Sequence, residues 1–120
     1  MCVICDGDDL TGLKTLDLSY CQNVIEIPHI VGLEELWCNS THVTVIPHIV
    51  GLKVLYCSRT RITTIPHIVG LTRLNCSSTI ITSIPNIIGL RVIWCEHTPI
   101  TSIPNIVGLE ELYCQNTPIT

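Results

Sequence analysis

The sequence has no alanine, no phenylalanine and a single methionine. Its aliphatic residues are instead mostly isoleucine, leucine and valine. A chain that lacks the best helix former and is rich in β-branched residues disfavours a helical bundle and points to strands. Charge is also scarce, at 13% of residues against 47% hydrophobic. With a net charge of −4 there is no overall basic field to hold a polyanion, so nucleic acid is not expected as a partner. No apolar run approaches the roughly 20 residues that cross a bilayer, so no membrane association is expected. The beginning, MCVICDGDD, lacks the basic region and long apolar region of a secretory signal. A reducing, cytoplasmic setting is therefore expected for the eight cysteines. Glycine-rich phosphate loops, G-x-S-x-G and H-E-x-x-H are all missing. The chain accordingly reads as non-enzymatic, with no catalytic residue, no cofactor and no metal assigned.

What the chain does contain is a repeat. GLEELWCNSTHVTVIPHIV (32–50) is followed by GLKVLYCSRTRITTIPHIV (51–69), GLTRLNCSSTIITSIPNII (70–88) and GLRVIWCEHTPITSIPNIV (89–107). GLEELYCQNTPIT (108–120) begins another copy, and a looser copy of 20 residues occupies 12–31. The period of the later copies is 19, without gaps. Counted from the first leucine, the consensus is L-x-x-L-x-C-x-x-T-x-I-x-x-I-P-x-I-x-G. Only residues 1–11 fall outside it, and MCVIC reads as a short capping strand there.

The L-x-x-L-x-C-x-x-T frame resembles the leucine-rich repeat family, whose frame is L-x-x-L-x-L-x-x-N/C-x-L. The short copies with I-P on the return side are similar to those of intracellular bacterial effectors. Cys in the strand, followed by Thr and then I-x-x-I-P-x-I, is similar to repeats of giant DNA viruses of amoebae. The resemblance implies a right-handed solenoid with protein recognition, not catalysis, as its role, and a host protein as partner. The residues support that architecture independently. Positions 4 and 6 alternate with polar or aromatic neighbours, as in a strand with one buried face. One glycine per copy marks a corner, and the Ile-Pro step favours an extended, polyproline-like or 3-10 return. A parallel sheet of about six strands on a concave wall follows, with little or no helix.

Positions 1, 4, 6, 11, 14 and 17 are apolar in nearly every copy and should point inward. Cys38, Cys57, Cys76, Cys95 and Cys114 hold position 6, which in the first copy is Leu18. That exchange marks the slot as one for a small hydrophobe. Sulfurs one strand spacing apart, in a line, do not converge on a zinc ion about 2.3 Å away, nor meet disulfide geometry. Cys2 and Cys5 form a lone C-x-x-C, weak as a metal signal. Thr41, Thr60, Thr79, Thr98 and Thr117 hold position 9, where the resemblance implies hydroxyls that satisfy the backbone as it leaves the strand. His29, His48 and His67, continued by Asn86 and Asn105, form a polar row on the return side, suited to surface hydrogen bonding or to pH sensitivity.

Position 5 points outward and reads Asp17, Trp37, Tyr56, Asn75, Trp94, Tyr113. With Tyr20 this accounts for every aromatic residue. Trp, Tyr and Arg are enriched at binding hot spots, and solenoids present such faces for recognition. Cross-strand pairs Trp37–Tyr56 and Trp94–Tyr113 would also stabilise the sheet, by about 0.2–1 kcal/mol each. The candidate partner-binding set is Asp17, Glu35, Trp37, Tyr56, Arg59, Arg73, Asn75, Trp94, His97 and Tyr113, around a basic middle that includes Lys53, Arg61 and Arg91. A second reading is self-association, because the open strand edge at 109–114 would pair with another chain and give dimers or end-to-end filaments.

Overall fold

The computed structural model describes residues 9–119, so the MCVIC strand and the Cys2–Cys5 motif lie outside the described residues. Six strands of three residues follow one per copy: β1 (Thr15–Asp17), β2 (Glu35–Trp37), β3 (Val54–Tyr56), β4 (Arg73–Asn75), β5 (Val92–Trp94) and β6 (Glu111–Tyr113). They form a single all-parallel sheet in chain order. Each residue pairs with its counterpart one copy later, Leu36 with Leu55 and Leu55 with Leu74. The chain is thus a β-solenoid, and no helix, α or 3-10, forms among the described residues.

The longer first copy keeps this register. Leu16 pairs with Leu36, and the Val24 carbonyl accepts from His42 N–H just as the Val43 carbonyl accepts from Arg61 N–H. Val24 therefore occupies the slot of Val43. The extra residue is taken up between Leu18 and Val24, where Cys21 N–H donates to Leu18 O and Val24 N–H to Cys21 O.

Two turns per copy shape the coil. At the corner before each strand, Leu52 N–H donates to Ile49 O at 3.2 Å across Val50 and Gly51. Gly51 has φ of 88°, the conformation that a type II turn requires at its third residue and that glycine adopts without penalty. After each strand, position 8 enters the left-handed region: Tyr20, Ser40, Arg59, Ser78, His97 and Asn116 all have φ between 55° and 66°. Asparagine and histidine are enriched in that region, and the other types pay about 1–2 kcal/mol each. Backbone bonds between coils hold the turn, such as Arg59 N–H to Ser77 O at 2.9 Å. The position-9 threonine closes it from within, Thr60 Oγ1 donating to Cys57 O at 2.8 Å and Thr41, Thr79 and Thr98 doing likewise.

On the return wall, Ile68 N–H bonds Pro66 O and Ile87 N–H bonds Pro85 O, inverse γ-bends that turn an otherwise extended segment. The 3-10 alternative does not occur: the bonds here close over two residues rather than the three of a 3-10 turn, and the rest of the segment stays extended.

The six inward slots are filled as the repeat dictates. In the third copy Leu52, Leu55, Cys57, Ile62, Ile65 and Ile68 are all buried. Each such aliphatic side chain contributes about 1.5–3 kcal/mol of burial free energy. No aromatic residue is among the buried ones. In β6, Leu112, whose counterparts are buried, is 37% exposed.

Candidate binding face

The outward side of the sheet carries three parallel rows, fixed by the period-2 alternation of three-residue strands. Position 3 places Glu35 in β2 and Arg73 in β4, one strand apart on either side of Val54. Position 5 carries the aromatic row. Position 8 carries Arg59 and His97 at the left-handed turns that follow the strands.

The aromatic row is continuous. Trp37 and Tyr56 lie with ring centroids 5.5 Å apart, and Trp94 stacks on Tyr113 at 5.7 Å and 6°. Tyr56 and Trp94 also meet, edge to face at 5.9 Å, although they stand on β3 and β5 with β4 between them. Asn75 makes this possible. Its Oδ1 accepts from Ser77 N–H at 3.1 Å, which holds the short side chain against its own backbone, and the two rings close over it. Asp17 does the same with Ser19 N–H at the start of the row. The sequence suggested two isolated pairs; the fold joins them into one strip of four rings, each half-covered by its neighbours.

The charged surround is narrower than the sequence implied. Lys53 pairs with Glu34 at 3.3 Å and Arg91 with Glu110 at 3.6 Å, all of them at position 2, before the strands. Arg61 lies beyond the position-8 turn, on the way to the return wall. Among the described residues, Arg59 and Arg73 flank the strip without an ion pair to an acidic side chain. A shallow polar groove beyond the strip is lined by Asn39, Ser58, Arg59, Ser78, Glu96 and His97. Asn39 Oδ1 accepts from both Ser58 N–H and Ser58 Oγ at 2.9 Å, and His97 Nε2 lies 3.4 Å from Asn116 Nδ2. At the other end Tyr113 Oη donates to Glu111 Oε1 at 2.7 Å, and this bond to a carboxylate pushes the Tyr113 hydroxyl pKa up.

The cysteines face the other way. Cys38, Cys57, Cys76 and Cys95 have no solvent exposure and form no disulfide. Burial pushes the Cys38 thiol up to about 12 and, with smaller contributions from Cys114 and Glu96, the Cys95 thiol up to about 11. Thiols shifted in this direction are poor nucleophiles. In the histidine row, His48 Nε2 lies 3.0 Å from His67 O.

One row escaped the sequence reading. Position 18 is aliphatic in every copy, yet Val31, Val50, Val69, Ile88 and Val107 are 74–83% exposed. The consensus recorded it as variable because it falls outside the six inward slots. Its unbroken aliphatic character was the available signal.

The Leucine Rich Repeat family model matches residues 12–33, which cover the first copy and the corner that follows it. Comparison with curated proteins gave no match. The solenoid carries the matched unit forward strand by strand, and the match and the fold together support a leucine-rich repeat protein. Solenoids of this family are generally protein-interaction modules, typically bind protein partners and are generally not enzymes. Among the described residues no helix is long and apolar enough to cross a membrane.

Proposed function

We propose that this protein is a non-enzymatic recognition module that binds a protein partner across the outer face of its sheet. The observation that carries the reading is the continuous strip Trp37–Tyr56–Trp94–Tyr113. Rings already packed on one another lose little freedom on binding, so a partner gains their contact area at low entropic cost. Asp17 precedes the strip and Asn75 lies beneath it, each adding a short polar group. Glu35, Arg59, Arg73 and His97 flank it with charge and hydrogen-bonding capacity that would set the partner's register. The proposed setting is a cytoplasm, and a host's cytoplasm if the likeness to effector and viral repeats carries over.

The test is affinity capture from host lysate, read by mass spectrometry, with the chain and with Trp37→Ala/Trp94→Ala. Capture should be lost while circular dichroism and cooperative melting persist, because neither tryptophan belongs to the core. Capture that survives the double substitution refutes the reading.

A further inference from the structure

We propose, resting on the recognition reading above, that the outer face takes an extended, polyproline-type segment of its partner, laid lengthwise along the aromatic strip, with charges that run basic, acidic, basic at three-residue intervals.

The signs on the outer face change in blocks of two coils. The first two coils carry Asp17 and Glu35, the middle two Arg59 and Arg73, and the last two Glu96 and Glu111. Glu35, Arg73 and Glu111 stand at position 3, on one side of the strip. Asp17 stands in line with the strip, and Arg59 and Glu96 stand at positions 8 and 7, on its other side. Tyr113 reports the last block from between its two members. Its hydroxyl donates to Glu111, and that bond, with the charges of Glu111 and Glu96, pushes the hydroxyl pKa up. Among the described residues none of these six charges forms an ion pair. The charges of position 2 all do, as Lys14–Glu34, Lys53–Glu34 and Arg91–Glu110. The unpaired set is therefore the one left for a partner.

The order of the signs selects the occupant. Minus, plus, minus reads the same in both directions. A second copy laid face to face in register, parallel or antiparallel, would set like charges on like. A shift of two coils that matched the signs would leave two coils of each copy uncovered. A polyanion would meet carboxylates at both ends. A segment that reads plus, minus, plus complements all three blocks. The strands are three residues long while the row crosses six of them, so the segment follows the row.

The spacing selects the conformation. Block centres are two coils apart, about 9.6 Å at about 4.8 Å per strand. One turn of polyproline helix, three residues at about 3.1 Å, advances about 9.3 Å and returns to the same face. Two turns of α-helix, about seven residues at about 1.5 Å, advance about 10.5 Å. Over both intervals the polyproline segment falls short by about 0.6 Å and the α-helix overshoots by about 1.8 Å. Hydrogen bonding favours the same choice. The Tyr56 hydroxyl and the Trp94 indole N–H form no hydrogen bond among the described residues, and neither is shut away from solvent. Both are donors, and the indole N–H can only donate. A polyproline-type segment offers free carbonyls to accept these bonds, whereas an α-helix uses its carbonyls internally.

The test uses the two tryptophans, which give two indole cross-peaks in a proton–nitrogen correlation spectrum. Both peaks should shift saturably when the chain is titrated with the capped peptide Lys-Pro-Pro-Glu-Pro-Pro-Lys. The inverted peptide Glu-Pro-Pro-Lys-Pro-Pro-Glu should bind roughly tenfold or more weakly. An alanine-rich helical peptide with its Lys, Glu and Lys seven residues apart should also bind more weakly. Arg59 and Arg73 are exposed, so Arg59→Glu/Arg73→Glu should leave the circular dichroism unchanged. It should switch the preference to Lys-Pro-Pro-Lys-Pro-Pro-Lys, a gain that structural damage does not produce. Peaks indifferent to every peptide, equal affinity for the two charge orders, preference for the helical peptide, or no switch in the variant each overturn the proposal. In any of these cases lysate capture that still needs Trp37 and Trp94 leaves the recognition reading standing, so the two fail separately.

Discussion

Raising the pH should weaken this protein through its cysteines. Cys38, Cys57, Cys76 and Cys95 are all fully buried, one in each of four successive coils. Burial pushes Cys38 up to about 12 and Cys95 up to about 11 from an ordinary value of 9.0. Burial also pushes Cys57 and Cys76 up, reinforced by the thiols stacked beside them. The protonated form is the one the fold favours. The stabilisation is therefore complete below the unfolded-chain value of 9.0 and drains away as pH rises from there through 11 to 12. At about pH 10 a thiol in the unfolded chain is mostly ionised while its buried counterpart is not, a difference of about 1.4 kcal/mol for each. Four thiols together lose about 6 kcal/mol, comparable with the whole stability of many small domains, about 5–15 kcal/mol. The assay is the urea midpoint at about pH 8 and about pH 10, under reductant, for the chain and for a variant with all four cysteines replaced by valine. Valine suits the slot because Leu18 already fills it in the first coil. The variant should keep most of its stability at the higher pH. If both proteins weaken equally, the thiols are not the packed, neutral core described above.

Thr60→Val removes the donor to the buried Cys57 carbonyl while preserving shape, and should cost about 1–3 kcal/mol in urea unfolding; an unchanged midpoint means that the carbonyl is satisfied in another way. A double-mutant cycle of Tyr56→Ala and Trp94→Ala should show coupling of about 0.5–1.5 kcal/mol. Trp37 and Trp94, which do not touch, should be additive. An uncoupled Tyr56–Trp94 pair would refute closure of the strip over Asn75.

The solenoid was legible because the repeat repeats its physics. Leu, Cys and Ile at six slots define an inside; Gly51 and its equivalents define a corner; Thr60 and its equivalents define a closing hydroxyl. Each of these choices acts within one coil or between adjacent coils, so a 19-residue frame shows them all. The left-handed turn at position 8 was not legible, since Ser40, Arg59 and Ser78 do not favour that backbone and are held there by bonds from the next coil. The charged centre was overdrawn for a similar reason. Lys53 and Arg91 share the composition of the middle repeats but stand at position 2, where Glu34 and Glu110 pair with them.

By itself the sequence determined the architecture and the sidedness: which residues face the core, which face solvent, and that the cysteines are filling while the aromatics are surface. Local periodicity suffices for that, because burial alternates along a chain of known pitch. Only the tertiary structure decided what the surface residues become in each other's company. Tyr56 and Trp94 are 38 residues apart, yet they touch because two coils bring them within a ring's reach and Asn75 is folded beneath them. Val69 is one valine among several in the chain, and it becomes the middle of an exposed ridge because every copy turns the same corner. Stacking turns equal slots in separate repeats into neighbours, and that proximity, which no single repeat encodes, makes the strip and the ridge continuous.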